Sequence, residues 1–254
     1  MRFARTLSDT RLIFLRYLRQ TLRSRVAVLF GALQPLLYLV LFGPLLPDLA
    51  QVRGAGGAWQ VLVPGLLVQL ALFGAGFVGF GLIADLRSGV VERLRVTPVS
   101  RTALLLGRVL RDTAVVAFQG VLLVAAGLAL GLRAPAGGIA VGLLLVAALA
   151  VGVASLSYVL AMRTRAEDAF APLLSAVTLP LMLLSGILLP MSLAPRWLDV
   201  LSRLTPFRYV VDAARAAFLG DYAAAALAEG ALVTVVLPAV SVALGARRFR
   251  AGDT

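Results

Sequence analysis

The residues able to do chemistry in this chain are few and of two kinds. All 24 basic residues are arginine, the 12 acidic residues are Asp and Glu, and lysine, histidine and cysteine are absent. A phosphate-binding P-loop requires its lysine, so no standard Walker A nucleotide site fits this sequence. The same absences exclude zinc sites built on His or Cys, thiol catalysis, Schiff-base chemistry and Ser-His-Asp triads. Without cysteine there is no disulfide, and nothing about redox compartment is readable. Arginine in place of lysine fits a GC-rich genome; the functional alternative is anion binding along the chain.

The charges fall in clusters. Residues 85–101, DLRSGVVERLRVTPVSR, carry Asp85, Arg87, Glu92, Arg93 and Arg95. Leu86, Val90 and Leu94 recur at i, i+4, i+8, Glu92 and Arg95 form an i, i+3 pair, and Pro98 after Thr97 stops the helix. This spacing predicts a short, charged, rigid lever between two apolar runs; the alternative is a solvated loop. Residues 2–25 predict an amphipathic helix, with Phe3, Leu7, Phe14, Leu18 and Leu22 on one face and Arg2, Arg5, Arg16, Arg19 and Arg23 opposite. Arg11 and Leu12 interrupt the pattern. Such a helix lies in a membrane interface, its arginines toward headgroups or toward a partner. Arg108, Arg111 and Asp112 enter an apolar run; Arg108 and Asp112 have i, i+4 spacing, and either pair or snorkel to the interface. Glu229 near one end of the last run is open to a proton or cation role, or to a plain interfacial one.

The elements that position these groups are transmembrane helices. The chain has 254 residues, 61% apolar, with mean hydropathy +0.97, above the roughly half-apolar composition of soluble domains. Six continuously apolar runs, 26–46, 59–84, 102–132, 137–162, 170–189 and 223–246, approach or exceed the ~20 residues that cross a bilayer. Their lack of alternation favours helices over a barrel. The fold class is therefore an all-α polytopic membrane protein with six transmembrane helices in a single domain, 1–254: an amphipathic helix over 1–25, the six-span region over 26–246 and a tail over 247–254. In this topology 18 of the 24 arginines lie on one side and six on the other. The positive-inside rule then puts both termini in the cytoplasm of a plasma or inner-membrane protein. The same sidedness explains the net charge of +12 without nucleic acid. The basic stretch before the first run is too long for a signal-peptide n-region, and the run has no A-x-A end, so it reads as a retained span. Gln34-Pro35 sits mid-run and predicts a kink or ordinary packing. The second run is rich in glycine, and Gly127-x-x-x-Gly131 and Gly138-x-x-x-Gly142 are weak matches to a helix-packing motif.

Residues 184–215 are apolar and regularly patterned, yet six charges fall between Arg196 and Arg215. At about 3 kcal/mol each, burying all six in hydrocarbon costs about 18 kcal/mol, so the segment is not a span. The apolar run ends at Pro190. From Pro195, Trp197, Leu198, Leu201 and Leu204 share one face, and Arg196, Asp199 and Arg203 the other. Thr205 is predicted as an N-cap with Pro206 at the first helical position. Arg208, Asp212 and Arg215 then follow at i, i+4, i+7 and are expected to pair along one stripe. Trp197, Phe207 and Tyr209 are interfacial aromatics. Two short helices dipping back into the outer leaflet satisfy this pattern; a pair lying on the surface also does.

Three features in this order carry a resemblance: the basic amphipathic N-terminus; VERLRVTPVSR followed by LLLGRVLRD; and SGILLPMSLAPRWLDVLSRLTPFRYVVDAAR. With PGLLVQLALFGAG from Pro64 to Gly76, the chain over nearly its whole length resembles the membrane subunit of type-2 ABC exporters, especially the daunorubicin-resistance branch. The resemblance implies a permease homodimer above two copies of an ABC ATPase. Asp85, Arg87, Glu92, Arg93, Arg95, Thr97 and Pro98 would form the coupling helix docking into an ATPase groove, with Arg5, Arg16, Arg19 and Arg23 beside it. The first and fifth spans would line the dimer seam and substrate path, at Gln34, Pro35, Tyr38, Thr178, Met182 and Ser185. Pro190, Pro195, Trp197, Pro206, Phe207, Arg208, Tyr209, Asp212 and Arg215 would mark the outer re-entrant lid. A fused ATPase domain is absent, so ATP and Mg would belong to the partner, and this chain is a transport subunit and not an enzyme. The implied cargo is a hydrophobic or amphipathic small molecule of drug type. Relatives of similar layout export lipo-oligosaccharide or polysaccharide, a cargo that tends to travel past stacked aromatics, and aromatics are only 7% here. A lipid-acting enzyme would need convergent polar groups that the span interiors barely offer. A non-transporting scaffold is the reading from a different class.

Overall fold

The computed structural model describes residues 2–23, 25–43, 57–90, 100–188, 191 and 194–251. Regular structure among them is helical throughout: α1 (Arg2–Arg23), α2 (Arg25–Phe42), α3 (Ala58–Gly76), α4 (Gly79–Arg87), α5 (Arg101–Ala129), α6 (Ala136–Thr164), α7 (Glu167–Leu184), α8 (Arg196–Ser202), α9 (Pro206–Leu219) and α10 (Ala225–Ala251). Five stretches are long and apolar enough to cross a membrane: Trp59–Arg87, Thr102–Ala129, Ala136–Thr164, Glu167–Leu184 and Ala225–Arg248. They correspond to the second to sixth expected runs. Of the first run, the described apolar part is the shorter helix Gly31–Phe42. Residues 91–99, which hold Glu92, Arg93, Arg95, Thr97 and Pro98 of the expected lever, lie outside the described residues, as does Pro190.

The bundle is built around α3 and α6. α6 packs against α10, α3, α5 and α9, and α3 also meets α2, α5 and α9. Two-thirds of the α3–α4 window is buried (67%), against 17% for α7 and for α10. An exposed apolar face is costly in water but ordinary against lipid, where packing and not the hydrophobic effect joins helices. Leu144, Leu183, Leu232 and Val235 accordingly point outward.

Close approach is set by small residues. A Cβ on Gly138 would run into the Ala217 carbonyl, and one on Gly142 into the Phe218 ring. The second of the two glycine motifs thus seats α9 on α6. The first does not form such a groove: Gly131, at φ +107°, belongs to the turn that ends α5. α5 itself begins at Ser100, whose hydroxyl accepts from Ala103 N at 3.2 Å, a side-chain cap of the usual kind.

The second span is broken, which the long apolar run did not predict. α3 ends at Gly76 and α4 starts at Gly79. Across the break, Phe80 N reaches Phe77 O at 3.2 Å and Gly81 N reaches Val78 O at 3.1 Å, the tighter i to i+3 pattern. Ser157 of α6 fills the gap in the ladder: its hydroxyl donates to Gly76 O at 2.5 Å and accepts from Gly79 N at 3.0 Å. A single side chain therefore satisfies two of the backbone groups that the break releases in an apolar environment, where each would otherwise cost several kcal/mol. Gly79 is required here, because a Cβ would collide with Phe170 and with Ser157. Phe73, Phe77 and Phe80 stack along the break, and Phe170 meets Phe80 edge-on at 4.8 Å.

The α6–α9 contact yields a direct test. Gly138→Leu forces a side chain against backbone, and overpacking of this kind typically costs about 1–3 kcal/mol or more. Its thermal midpoint in detergent should fall by several degrees, whereas Gly81→Ala, whose Cβ meets nothing within 4 Å, should leave it close to that of the parent chain.

Candidate functional site

Charged side chains concentrate at the two ends of the bundle. At the end where α1 lies, α1 packs along α5. Thr10, Ile13 and Tyr17 form its buried stripe, while Leu7, Leu12 and Leu22 are exposed. At 100° per residue α1 therefore has three faces: one on the protein, one apolar and outward, and one bearing Arg16, Arg19 and Arg23. The expected two-faced pattern is corrected accordingly. Leu7 and Leu22 do not pack on the protein, and their outward direction suits a helix lying in a bilayer interface. Arg5 is on the same helix.

Tyr17 leads into a buried ionic cluster. Arg108, at 3% exposure, donates from Nη2 to Asp85 Oδ2 at 2.7 Å and to the Tyr17 hydroxyl at 2.5 Å. Its guanidinium also lies 4.7 Å from the centre of the Tyr17 ring, a cation–π arrangement. Burial pushes the Tyr17 phenol up, opposed by the Arg108 charge. The phenol thus stays neutral at physiological pH, accepting from Arg108 and donating toward Asp85 at 3.5 Å. Next to this set, Arg111 Nη1 pairs with Asp112 Oδ1 at 2.9 Å, and the Tyr158 hydroxyl of α6 donates to Asp112 Oδ2. Arg108 is therefore neither snorkelling nor paired with Asp112, as its spacing had suggested. The helix turn carries it toward α4 and α1, and Asp112 is taken by its neighbour Arg111 and by Tyr158.

Polar contacts tie down both sides of residues 91–99. On the near side, Asp85 is held by Arg108, and Arg87 Nη1 reaches Glu167 Oε1 of α7 at 3.3 Å. On the far side, Ser100 N donates to Asp9 Oδ2 of α1 at 3.2 Å. α1, α4 and the start of α5 are thereby joined by polar contacts as well as by packing.

The opposite end is held by arginine in a different way. Arg208 Nη1 contacts Asp199 Oδ1 at 2.7 Å and the Asp199 carbonyl at 2.8 Å, and donates to the Ser202 hydroxyl, so α9 clamps α8. Hydrogen bonds from Arg208 and then Arg203 hold the Asp199 carboxyl below its usual range. The clamp's contribution is accordingly complete above about pH 4 and is lost as pH falls through that lowered value. The expected Arg208–Asp212–Arg215 stripe is loose, at 3.6 and 3.8 Å. Arg215 instead crosses the bundle: Nη2 donates to Gly186 O at 2.7 Å and Ile187 O at 3.3 Å, and Nε to Val61 O at 3.3 Å. It thus joins α9 to the turn after α7 and to the first turns of α3. Burial lowers its pKa to about 10, and burial raises that of Asp212.

The other expected lid residues divide. Thr205 and Pro206 occupy the N-cap and first helical positions of α9. The Thr205 hydroxyl, however, donates back to Ser202 O at 2.8 Å and does not cap the helix. Phe207 is buried in the core and is not an interfacial aromatic, whereas Trp197 is 65% and Leu204 80% exposed. On the apolar side of α8, which begins after Pro195, Trp197, Leu201 and Leu204 are exposed and Leu198 is half-buried among the described residues. The Tyr209 hydroxyl donates to Arg203 O at 2.9 Å. Glu229 is exposed. Of the expected path residues, Gln34 is exposed, Tyr38 and Met182 are half-buried, and Pro35, Thr178 and Ser185 are buried. The Ser185 hydroxyl is satisfied by Met182 O at 2.8 Å.

Tyr17, Ser157 and Tyr158 were not singled out by the sequence. Their partners lie on other helices, and spacing along one helix carries no trace of them.

Residues 8–219, from α1 to the end of α9, match the ABC-2 type transporter family. The ycf38 chain of Cyanophora paradoxa, provisionally named a transport permease, is 29% identical over 201 residues, covering 77% of this chain and 69% of its own length. That of Pyropia yezoensis, named likewise, is 27% identical over 216 residues, covering 82% and 73%. DrrC of Mycobacterium tuberculosis, provisionally named a doxorubicin resistance ABC transporter permease protein, is 26% identical over 242 residues, covering 92% and 86%. The chain belongs to the ABC-2 type transporter family.

The buried pair gives a test by double-mutant cycle. Arg108→Ala leaves Asp85 without its partner, and Asp85→Ala leaves a cation buried; breaking a buried pair costs about 3–5 kcal/mol. The Asp85→Ala/Arg108→Ala chain should be less destabilised than the sum of the singles by about 1 kcal/mol or more, read as thermal midpoints in one detergent. Additive effects would contradict the pairing.

Proposed function

We propose that this member of the ABC-2 type transporter family is the permease subunit of an ATP-driven exporter that moves hydrophobic or amphipathic small molecules out of the cell. Energy comes from a separate ABC ATPase, present in two copies, on which ATP and Mg are bound. The observation that carries this reading is the ionic cluster around Arg108 together with the Asp9–Ser100 hydrogen bond, because between them they anchor α1 and both flanks of residues 91–99 to the bundle. A segment that receives a push from a partner must be mechanically connected to the helices it moves. Both termini, and the end of the bundle that holds this cluster, face the cytoplasm, and α2 completes a sixth span.

In the proposed cycle, closure of the ATPase pair on ATP displaces residues 91–99, with Glu92 and Arg93 at the contact and the Arg16, Arg19 and Arg23 face of α1 beside it. The joined body of α1, α4 and the start of α5 tilts as one. The break at residues 77–78, held by Ser157, is the hinge in the second span that admits this tilt. Two discrete arrangements of a packed unit, each favoured by a different nucleotide state, are sufficient for alternating access. The outward apolar faces of α2 (Leu33, Leu37, Val40, Leu41) and α7 (Leu173, Val177, Leu183) form the seam with a second permease copy and border the path of the cargo. Apolar walls of this kind suit apolar cargo, and the relative named for doxorubicin resistance fits the same cargo class. The α8–α9 pair closes the exit.

Co-expression with an ABC ATPase from the same genome tests the proposal. The two proteins should co-purify, and amphipathic drugs should stimulate ATP hydrolysis by the reconstituted complex. Glu92→Ala/Arg93→Ala should abolish that stimulation, by tenfold or more in the drug-dependent increment, while basal hydrolysis persists. Full drug stimulation in this variant would rule out residues 91–99 as the coupling element.

A further inference from the structure

A cavity of about 300 Å³ opens between the last turns of α6 and α10, lined by Val159 and Arg163 from α6 and by Leu244, Arg247 and Arg248 from α10. None of the three arginines makes an ion pair among the described residues, in contrast to Arg87, Arg108, Arg111, Arg203, Arg208 and Arg215. Arginine in a last helical turn is commonly explained by the helix dipole. Each helix end offers only about half a negative charge, so two ends offset about one of these three exposed guanidinium charges. The dipole also gives no reason for a cavity. This one is many times the ~30 Å³ of a single water, and its walls are almost wholly apolar, drawn from Val159, Leu244 and the stems of the three arginines. A water-filled anion site has no use for such walls. A phosphate group with hydrocarbon attached uses both.

We propose that this cavity binds one anionic phospholipid, its phosphate among Arg163, Arg247 and Arg248 and the first carbons of its chains against Val159 and Leu244. Basic pockets between transmembrane helices recognise anionic headgroups in this way, each arginine near the surface contributing about 1 kcal/mol. In the orientation proposed above, the lipid comes from the cytoplasmic leaflet. The inference does not rest on the export reading, and it assigns a regulatory or structural lipid to the last turns of α6 and α10. A lipid there bridges α6, which carries Ser157 and Tyr158, to α10.

The full chain, purified in mild detergent and mixed with phosphatidylglycerol, phosphatidylcholine or inorganic phosphate, is examined by native mass spectrometry. Phosphatidylglycerol should be retained as a single adduct in preference to phosphatidylcholine. R163Q/R247Q should lose the adduct by about tenfold or more, while R133Q/R196Q, which removes the same charge elsewhere, should keep it. V159W fills the cavity without changing charge and should also expel the lipid. Equal loss in the two double variants, equal retention of phosphatidylcholine, or retention by V159W would overturn the site. Displacement of the lipid by millimolar inorganic phosphate would overturn the lipid as its source. Thermal midpoints in lipid-free detergent identify a variant that has failed to fold, and the remaining variant and the competition arm still decide the question.

Discussion

One guanidinium group organises the cytoplasmic end proposed for this protein. Arg108 is almost wholly buried, and its charge is tolerable only because Asp85 and Tyr17 surround it. A buried cation without such partners costs several kcal/mol, and two opposite charges offset that cost only when geometry is good and the remaining donors are satisfied. The geometry that satisfies Arg108 brings three helices together, because Tyr17 is on α1, Asp85 on α4 and Arg108 on α5. Gly107 makes room for the approach, since a Cβ there would strike Ile13 of α1. The interface helix is thus a packed part of the bundle, although two of its faces look outward.

The same logic explains the second span and the opposite end. A helix break in hydrocarbon is allowed only where something re-satisfies the backbone. Ser157 does so with one hydroxyl, next to the Tyr158 that reaches Asp112. Two adjacent residues of α6 therefore hold the break in the second span and the ionic cluster in a fixed relation. At the far end Arg215 supplies donors to carbonyls of the turn after α7 and of α3. Charge is used at both ends to close irregular backbone, and the apolar middle is left to packing.

Much of the helical layout was legible in the sequence because continuous apolar runs and the cost of buried charge are properties of composition. Five of the runs reappear as helices of spanning length, and the segment with six charges folds as two short helices, with Pro206 where its fixed φ fits the first turn. The side-chain partners were not legible. Arg108 and Asp112 sit four residues apart, which is sufficient for contact on an isolated helix, but the structure assigns each to a partner on another element. Phe207 was grouped with Trp197 and Tyr209 as an interfacial aromatic, yet the helix turn points it into the core. The break at residues 77–78 was hidden because glycine and phenylalanine are as apolar as the run around them. Pairwise spacing describes one helix, whereas these outcomes are decided by which second helix lies alongside.

The central claim is that α1 and α4 move as one body relative to the outer helix pair. The chain has no native cysteine, so spin labels can be placed by substitution alone. Pulsed dipolar distances would be recorded in the reconstituted complex with the ATPase, nucleotide-free and with ATP trapped, for Gln20→Cys/Ala84→Cys across α1 and α4 and for Ala84→Cys/Arg196→Cys between α4 and α8. The first distance should stay the same in both states while the second changes. A change in the α1–α4 distance as large as that in the α4–α8 distance would contradict the claim.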